Sequence, residues 1–235
     1  MSSPAAPPRT KGLIIAIDGP SGAGKSTITR LLAERLGYIH IDTGAMFRVV
    51  ALAAKRAGIA VDDDEALAGL CRDLSITFAR TGRDCRVFMD GEDVSAAIRT
   101  PEISLLTSAV SAIKGVRQCL KARQREMGTA GGVVLEGRDI GTVIFPDAEV
   151  KFFLTASAEE RGRRRFLELR EKGEDVTLEG TIVEVARRDA QDEQREHAPL
   201  RQAPDAIAID SSELAIEEVL ELMLEKIQER LNVKR

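Results

Sequence analysis

The residues that can do chemistry come early in the chain. Gly19, Pro20, Ser21, Gly22, Ala23, Gly24, Lys25 and Ser26, followed by Thr27, fit the spacing GxxxxGK[ST]. Glycines let a backbone curl until its N–H groups face inward, and the N-terminus of a following helix adds partial positive charge. Together these cradle phosphate. Lys25 is placed to reach the β and γ phosphates of a nucleoside triphosphate, and the Ser26 hydroxyl can hold Mg2+. In an empty loop Lys25 is expected to face solvent. The motif gains weight from its context. Residues 13–18 form a short, Ile-rich run that reads as a buried strand, and residues 25–36 have helical apolar spacing. The loop implies a bound nucleoside triphosphate with Mg2+. It does not by itself specify a reaction.

Other residues narrow the reaction. A GTPase needs a guanine-reading NKxD string, and none occurs. A mechanical or transport ATPase usually carries more chain and consecutive acids after its third strand. Here that strand runs into Leu135-Glu136-Gly137-Arg138-Asp139, an acid followed by an Arg/Asp pair. A small-molecule kinase needs arginines that neutralise a second anion, and a lid that excludes water. Arg48, Arg117, Arg138, Arg188 and Arg195 are candidates for the first task. Arg138 and Asp139 follow the carboxyl end of a strand, where open α/β sheets bind ligands. Arg188, Asp192 and Arg195 recur at i, i+4 and i+7, so they share one helical face. Arg161, Arg164 and Arg165 either form a solvated face balanced by Glu159, Glu160, Glu168 and Glu171, or send one or two guanidinium groups to ATP. Asp42 either touches a magnesium-bound water or caps the next helix. His40 and His197 belong to no constellation and read as ordinary structure.

Bulk properties set the frame. The 235 residues suit one domain of ordinary size, or one core with an insertion. With 43% hydrophobic and 31% charged residues a packed globule is expected, and with 3% aromatics and no Trp its core must be aliphatic. A net charge of -4 gives no general attraction to nucleic acid or to an anionic membrane. Of the 34 basic residues 25 are Arg and 9 Lys, which favours forked grips on phosphate oxygens. Cys71, Cys85 and Cys119 show no metal or redox spacing and read as reduced, structural thiols of a cytoplasmic protein. Residues 1–10 lack the apolar stretch of a secretory signal and are expected to be a disordered tail. No apolar run approaches the ~20 residues needed to span a bilayer.

The elements that must position these residues alternate as an α/β fold requires. After the first strand and helix, residues 38–42 read as a strand and 45–55 as a helix. Residues 75–79 and 85–89 are strand-like and flank a turn at 80–84. They suggest a small antiparallel insertion bounded by about residues 62 and 99. One helical pattern follows over about residues 102–126. Strands are expected at 133–135, 150–154 and 206–209, and charged helices at 157–172 and 177–196. A last amphipathic helix carries Val219, Leu220, Met223, Leu224, Ile227 and Leu231 on one stripe.

On these residues the chain resembles the bacterial cytidylate (CMP) kinases, which are P-loop nucleoside monophosphate kinases. The matching segments are Ile17 to Thr27; Asp42-Thr43-Gly44-Ala45-Met46-Phe47-Arg48; Gly91-Glu92-Asp93-Val94-Ser95 with Ile98-Arg99; Gly137 to Val143 with Phe145-Pro146-Asp147-Ala148; and Arg188-Asp189 with Asp192 and Arg195. Together they cover nearly the whole chain after Thr10. The resemblance implies a single domain over residues 11–235, built on a five-stranded parallel sheet flanked by helices. Its antiparallel-β insertion would belong to the monophosphate-binding region, and its helical lid would lie at about residues 161–188. It implies ATP-dependent phosphorylation of CMP and dCMP with Mg2+, and the chain is expected to act as a monomer. A uridylate or adenylate kinase and a catalytically silent nucleotide sensor are the alternatives. Residue by residue, it assigns Thr43, Arg48, Ser108, Arg117, Arg138, Asp139, Arg188, Asp192 and Arg195 to CMP. The catalytic set becomes Lys25, Arg48, Arg138, Arg188 and Arg195. Residues 19–27 with Arg161, Arg164 and Arg165 would bind ATP. Thr43 stands where some relatives have Ser, and Ser26 where some have Gly.

Overall fold

A computed structural model describes residues 11–81, 84–171 and 173–233. The expected tail at residues 1–10 lies outside the described residues, as do Gly82 and Arg83 in the expected turn, Lys172 in the expected lid and the side chain of Cys85. The chain divides into two compact units, one from Met1–His40 with Ala130–Arg235 and the other from Ile41–Thr129.

The first unit is organised by strand β1 (Ile14–Asp18), whose five residues are all buried, as an interior parallel strand requires. Strand β2 (Ile39–Asp42), β6 (Val133–Gly137), β7 (Val150–Thr155) and β8 (Ile207–Asp210) complete a sheet of order β2-β6-β1-β7-β8. Pairing is parallel for β1 with β6, β1 with β7 and β7 with β8. Helix α1 (Lys25–Leu36) ends at Gly37, which adopts φ 69° to close the last turn. Ile28 and Leu32 of α1 pack with Ile15, Ile17, Phe152 and Leu154 and with Val219, Met223 and Ile227 of α8 (Ile216–Val233). Leu231, expected on the same stripe, is 38% exposed in the last turn of that helix. Helices α6 (Ala158–Glu171) and α7 (Leu178–Gln194) pack on each other. Gly162 makes that contact close, since a Cβ there would meet Ile182 Cγ1 at 2.3 Å.

The second unit has its own aliphatic core. Helix α2 (Thr43–Ala57) supplies Met46, Val49, Val50 and Ala53, capped by Asp42, whose Oδ1 accepts from Ala45 N at 3.0 Å. Strands β3 (Ile76–Thr81), β4 (Asp84–Met89) and β5 (Glu92–Asp93) form the expected small antiparallel sheet. Two features differ from the reading of the sequence. Helix α3 (Asp64–Asp73) precedes that sheet, capped by Asp63, and buries Leu67, Ala68 and Cys71. The single helix expected over about 102–126 is two, α4 (Pro101–Val110) and α5 (Lys114–Gly128). The break has a local cause. Ser111 turns its hydroxyl back to the Ser108 carbonyl, and Ile113 leaves the helical path to bury its side chain.

Candidate active site

The phosphate loop joins β1 to α1, and its glycines are fixed by crowding and by backbone sign. Gly19 has φ 152°, and a Cβ there would sit 1.9 Å from the Leu154 carbonyl oxygen at the end of β7. Gly24 caps α1 at φ 84° with no side chain bonded across the helix start. The first amides of α1 are therefore open to an anion. Gly19→Ala should lower Tm and abolish nucleotide binding together, because the strand end and the loop cannot both keep their places. A thermal melt with and without ATP checks this, and a variant that ATP stabilises as it does the wild type would refute it.

Lys25 is not solvent-facing. It is 6% exposed, and its Nζ donates to the Pro20 carbonyl at 2.5 Å. Burial and then the Arg138 charge push its pKa well below the ordinary lysine range, while Glu136, Asp18 and Asp192 pull it back. Beside it the Ser26 hydroxyl donates to Glu136 Oε2 at 2.8 Å, and Glu136 Oε1 lies 2.9 Å from His40 Nε2. Burial opposes the charge on Glu136, but the His40 hydrogen bond, the Lys25 charge and the Ser26 hydroxyl hold its pKa below the usual carboxylate value. Glu136 and His40 were not among the residues expected to matter. The available signal was an acid at the end of a core strand beside the loop. A hydroxyl and a carboxylate in contact are hard oxygen donors and fit Mg2+, which typically takes one or two carboxylates plus substrate phosphates. Among the described residues no cluster of three or more His, Cys, Asp or Glu forms a self-contained metal site.

Asp18, at the other side of the loop, accepts from Ile140 N at 2.8 Å and Gly141 N at 2.7 Å. These amides begin a π-helical turn at Ile140–Ile144. Burial raises the Asp18 pKa to about 6 despite both bonds. Because the folded value lies above the unfolded one, the folded chain holds the proton more tightly. The resulting stabilisation, ~3 kcal/mol, is fully present below the unfolded pKa and is lost as pH rises through about 6. The Tm of Asp18→Asn relative to wild type should therefore move in the variant's favour from about pH 4 to about pH 7. A flat difference in paired melts would show that Asp18 does not titrate in that window.

The arginines of the first unit are networked. Arg138 Nε donates to Asp192 Oδ2 at 2.7 Å, and Arg195 lies 3.4 Å from the other oxygen. Burial opposes the Asp192 charge, but Arg138, Arg195 and Arg188 together hold its pKa down. Arg188, Asp192, Arg195 and Arg138 thus form one electrostatic group. Asp139 is buried, and its carbonyl accepts from Val143 N and Ile144 N. The three arginines of α6 have different places. Arg165 pairs with Glu168 on the surface side of its helix. Arg164 bonds Glu160 and both the hydroxyl and the carbonyl of Ser211. Arg161 is buried against the loop, which the picture of a solvated face did not anticipate.

The second unit carries the remaining candidates. Thr43 is buried at the start of α2, and Asp42 beside it serves as the helix cap. Arg48 donates to Ser104 Oγ at 2.7 Å and to the Ile98 carbonyl at 3.2 Å. Arg117 donates to the Ser111 carbonyl at 3.0 Å and stacks over the Phe47 ring, 5.4 Å from its centroid. Ser108 accepts from Ser111 through its carbonyl, one turn along α4 from Ser104.

Comparison with known proteins gives a consistent result. The model of the family described as cytidylate kinase matches residues 15–229. A cytidylate kinase of Geobacter sp. (strain M21) is 70% identical over 223 residues, covering 95% of this chain and 96% of the relative. One from Geobacter sulfurreducens is 69% identical over 220 residues, 94% of each chain. One from Pseudomonas syringae pv. tomato is 48% identical over 93% of this chain and 96% of its own length.

Proposed function

Because the chain belongs to the cytidylate kinase family, we propose that it moves the γ-phosphoryl of ATP onto CMP and dCMP, giving CDP and dCDP. The observation that carries this reading is the family match over residues 15–229 joined to an intact phosphate loop with Lys25 and Ser26 in place. The match does not favour a uridylate or adenylate kinase or a silent sensor.

The nucleophile is a phosphate oxygen of CMP, already anionic at neutral pH, so no strong general base is required. The residues then position and neutralise. The loop of residues 19–27, through its free backbone amides and Lys25, takes the triphosphate. Ser26 and Glu136 would hold Mg2+, which supplies charge to the β and γ phosphates when bound. Thr43, Arg48, Ser108, Arg117, Arg138, Asp139, Arg188, Asp192 and Arg195 are assigned to CMP. Arg48, Arg138, Arg188 and Arg195 offset the charge of the two approaching nucleotides. Arg164 and Arg165 are assigned to ATP from the lid segment at about residues 161–188, which excludes water from the transferring group. No described helix is long and apolar enough to cross a membrane. We place the protein in the cytoplasm as a monomer, without nucleic-acid or membrane partners.

A coupled ADP-release assay across CMP, dCMP, UMP, AMP and GMP tests the assignment. Release with CMP and dCMP far above the other three is the expected pattern. A preference for UMP or AMP, or no release with any, would overturn it.

A further inference from the structure

Arg161 and Asp189 face the phosphate loop from two different helices. The Arg161 guanidinium makes three bonds while only 7% of the residue is exposed. Its Nε donates to the Ala156 carbonyl at 2.9 Å, fixing the side chain against the start of its own helix. One terminal nitrogen donates to the Ser21 carbonyl at 3.0 Å and also to Asp189 Oδ2. The other oxygen of Asp189 accepts from Ser21 N at 3.4 Å. Both backbone polar groups of one loop residue, Ser21, are thus taken by a single ion pair.

Packing supports the same arrangement. Gly22 adopts φ 77°, and a Cβ there would meet the Arg161 carbonyl oxygen at 2.9 Å and its Cβ at 3.0 Å. The loop therefore lies directly against the first turn of α6. Gly162, the next residue, brings α6 against Ile182 of α7, the helix that carries Asp189. Three segments meet at the pair: the loop, α6 and α7. Nε and one terminal nitrogen of the guanidinium are thereby directed at protein oxygens.

We propose that Arg161 and Asp189 are positioning residues for the phosphate loop, acting on ATP through the Ser21 peptide and not as ligands of ATP. This replaces the direct ATP contact that the sequence suggested for Arg161, and it rests on the reading that the loop holds ATP. The pair fixes where the Ser21 amide points and how tightly the loop curves before Gly22. Misplacement of that peptide by a fraction of an ångström shifts the N–H groups that follow it in the loop and weakens the cradle they build. Asp189 lies one residue after Arg188 and three before Asp192, so the same helix also carries residues assigned to the second nucleotide.

The test compares three full-length variants with wild type. Asp189→Asn keeps an acceptor for Ser21 N but removes the charge that Arg161 needs. Arg161→Met removes the guanidinium and keeps the apolar stem. The double variant Arg161→Met/Asp189→Leu removes both charges together, which avoids leaving one buried and unpaired. Binding of Mg-ATP is measured calorimetrically without CMP, and KM for CMP is measured separately. Each single variant should weaken ATP by about tenfold or more with KM for CMP within about twofold. The double variant should be no worse than the poorer single one, because the two residues act as a unit. Unchanged ATP affinity in Asp189→Asn would overturn the proposal, since a direct ATP ligand at Arg161 would not need Asp189. Additive losses, or equal losses for ATP and CMP, would overturn it too. Should one single variant fail to fold, the other single variant and the double variant are compared by the same criteria. A wild type that binds ATP yet leaves CMP unphosphorylated would refute the proposed function while the binding comparison still stood.

Discussion

Lys25→Ala should lose at least ~10²-fold in turnover, on the scale of a removed, preorganised charge. The Lys25 Nζ is buried beneath the loop and donates to the Pro20 carbonyl, with Glu136, Asp18 and Asp192 pulling on its charge. An incoming triphosphate supplies a stronger partner than a neutral carbonyl, so the group is available to move onto the β and γ phosphates. Alanine leaves that developing charge without its nearest cation. The fold should change little. One hydrogen bond to Pro20 is lost, at about 1 kcal/mol, which amounts to a few degrees in Tm for a chain of this size. Steady-state turnover and a melt on the same preparation check both halves. Near-normal turnover would refute the assignment of the loop, and a collapse in Tm would show that Lys25 mainly supports the fold.

The second large effect concerns the base. The protein should prefer CMP to UMP by at least ~10²-fold in kcat/KM, and Asp139→Asn should narrow that gap. Cytosine presents an amino donor where uracil presents a carbonyl. A carboxylate can accept from the first and only oppose the second. Asp139 is buried at the carboxyl end of β6, just before the π-helical turn, where water cannot offset a mismatch. A buried unsatisfied group costs roughly 1–3 kcal/mol, more when a charge takes part. An amide can turn its NH2 toward the uracil carbonyl, so the variant should lose CMP and gain UMP. Specificity constants for both substrates on both proteins decide it. An unchanged ratio in the variant would mean that Asp139 does not read the base.

The strands of the central sheet were legible because interior parallel strands leave an unmistakable trace. Residues 14–17 are apolar on both faces and end at a glycine loop. The helix after the loop was legible for the complementary reason, a 3.6-residue apolar spacing closed by glycine. What escaped reading was local competition. Ser108, Ser111 and Ile113 look helical by periodicity, but a serine bonded back to a carbonyl and an inward-turned isoleucine split the helix. Helix α3 was hidden because only Leu67, Ala68 and Cys71 carry its buried face, though Asp63 before it was a usable cap signal.

The site shows a similar division. Lys25 and Ser26 are candidates from spacing alone, because the motif sets their places through the backbone of the loop. Glu136 and His40 are not, since β6 brings Glu136 to the Ser26 hydroxyl across a separation of 110 residues and β2 brings His40 to Glu136 across 96. His40 looked unattached in sequence for that reason. Arg161 was open in sequence between a solvated face and a contact with ATP, and the helix turns that one arginine inward onto Ser21. Asp192 was placed on a face with Arg188 and Arg195, and its strongest bond instead comes from Arg138, 54 residues away.

Phosphoryl transfer from ATP to CMP can be followed by tracking label. Wild-type protein is incubated with Mg2+, CMP and ATP labelled in the γ-phosphoryl, and the products are separated. Label should enter the β position of CDP in step with ADP formation, with little label in inorganic phosphate while CMP remains. Label that appears in inorganic phosphate at the same rate with or without CMP, leaving CMP unconverted, would contradict it.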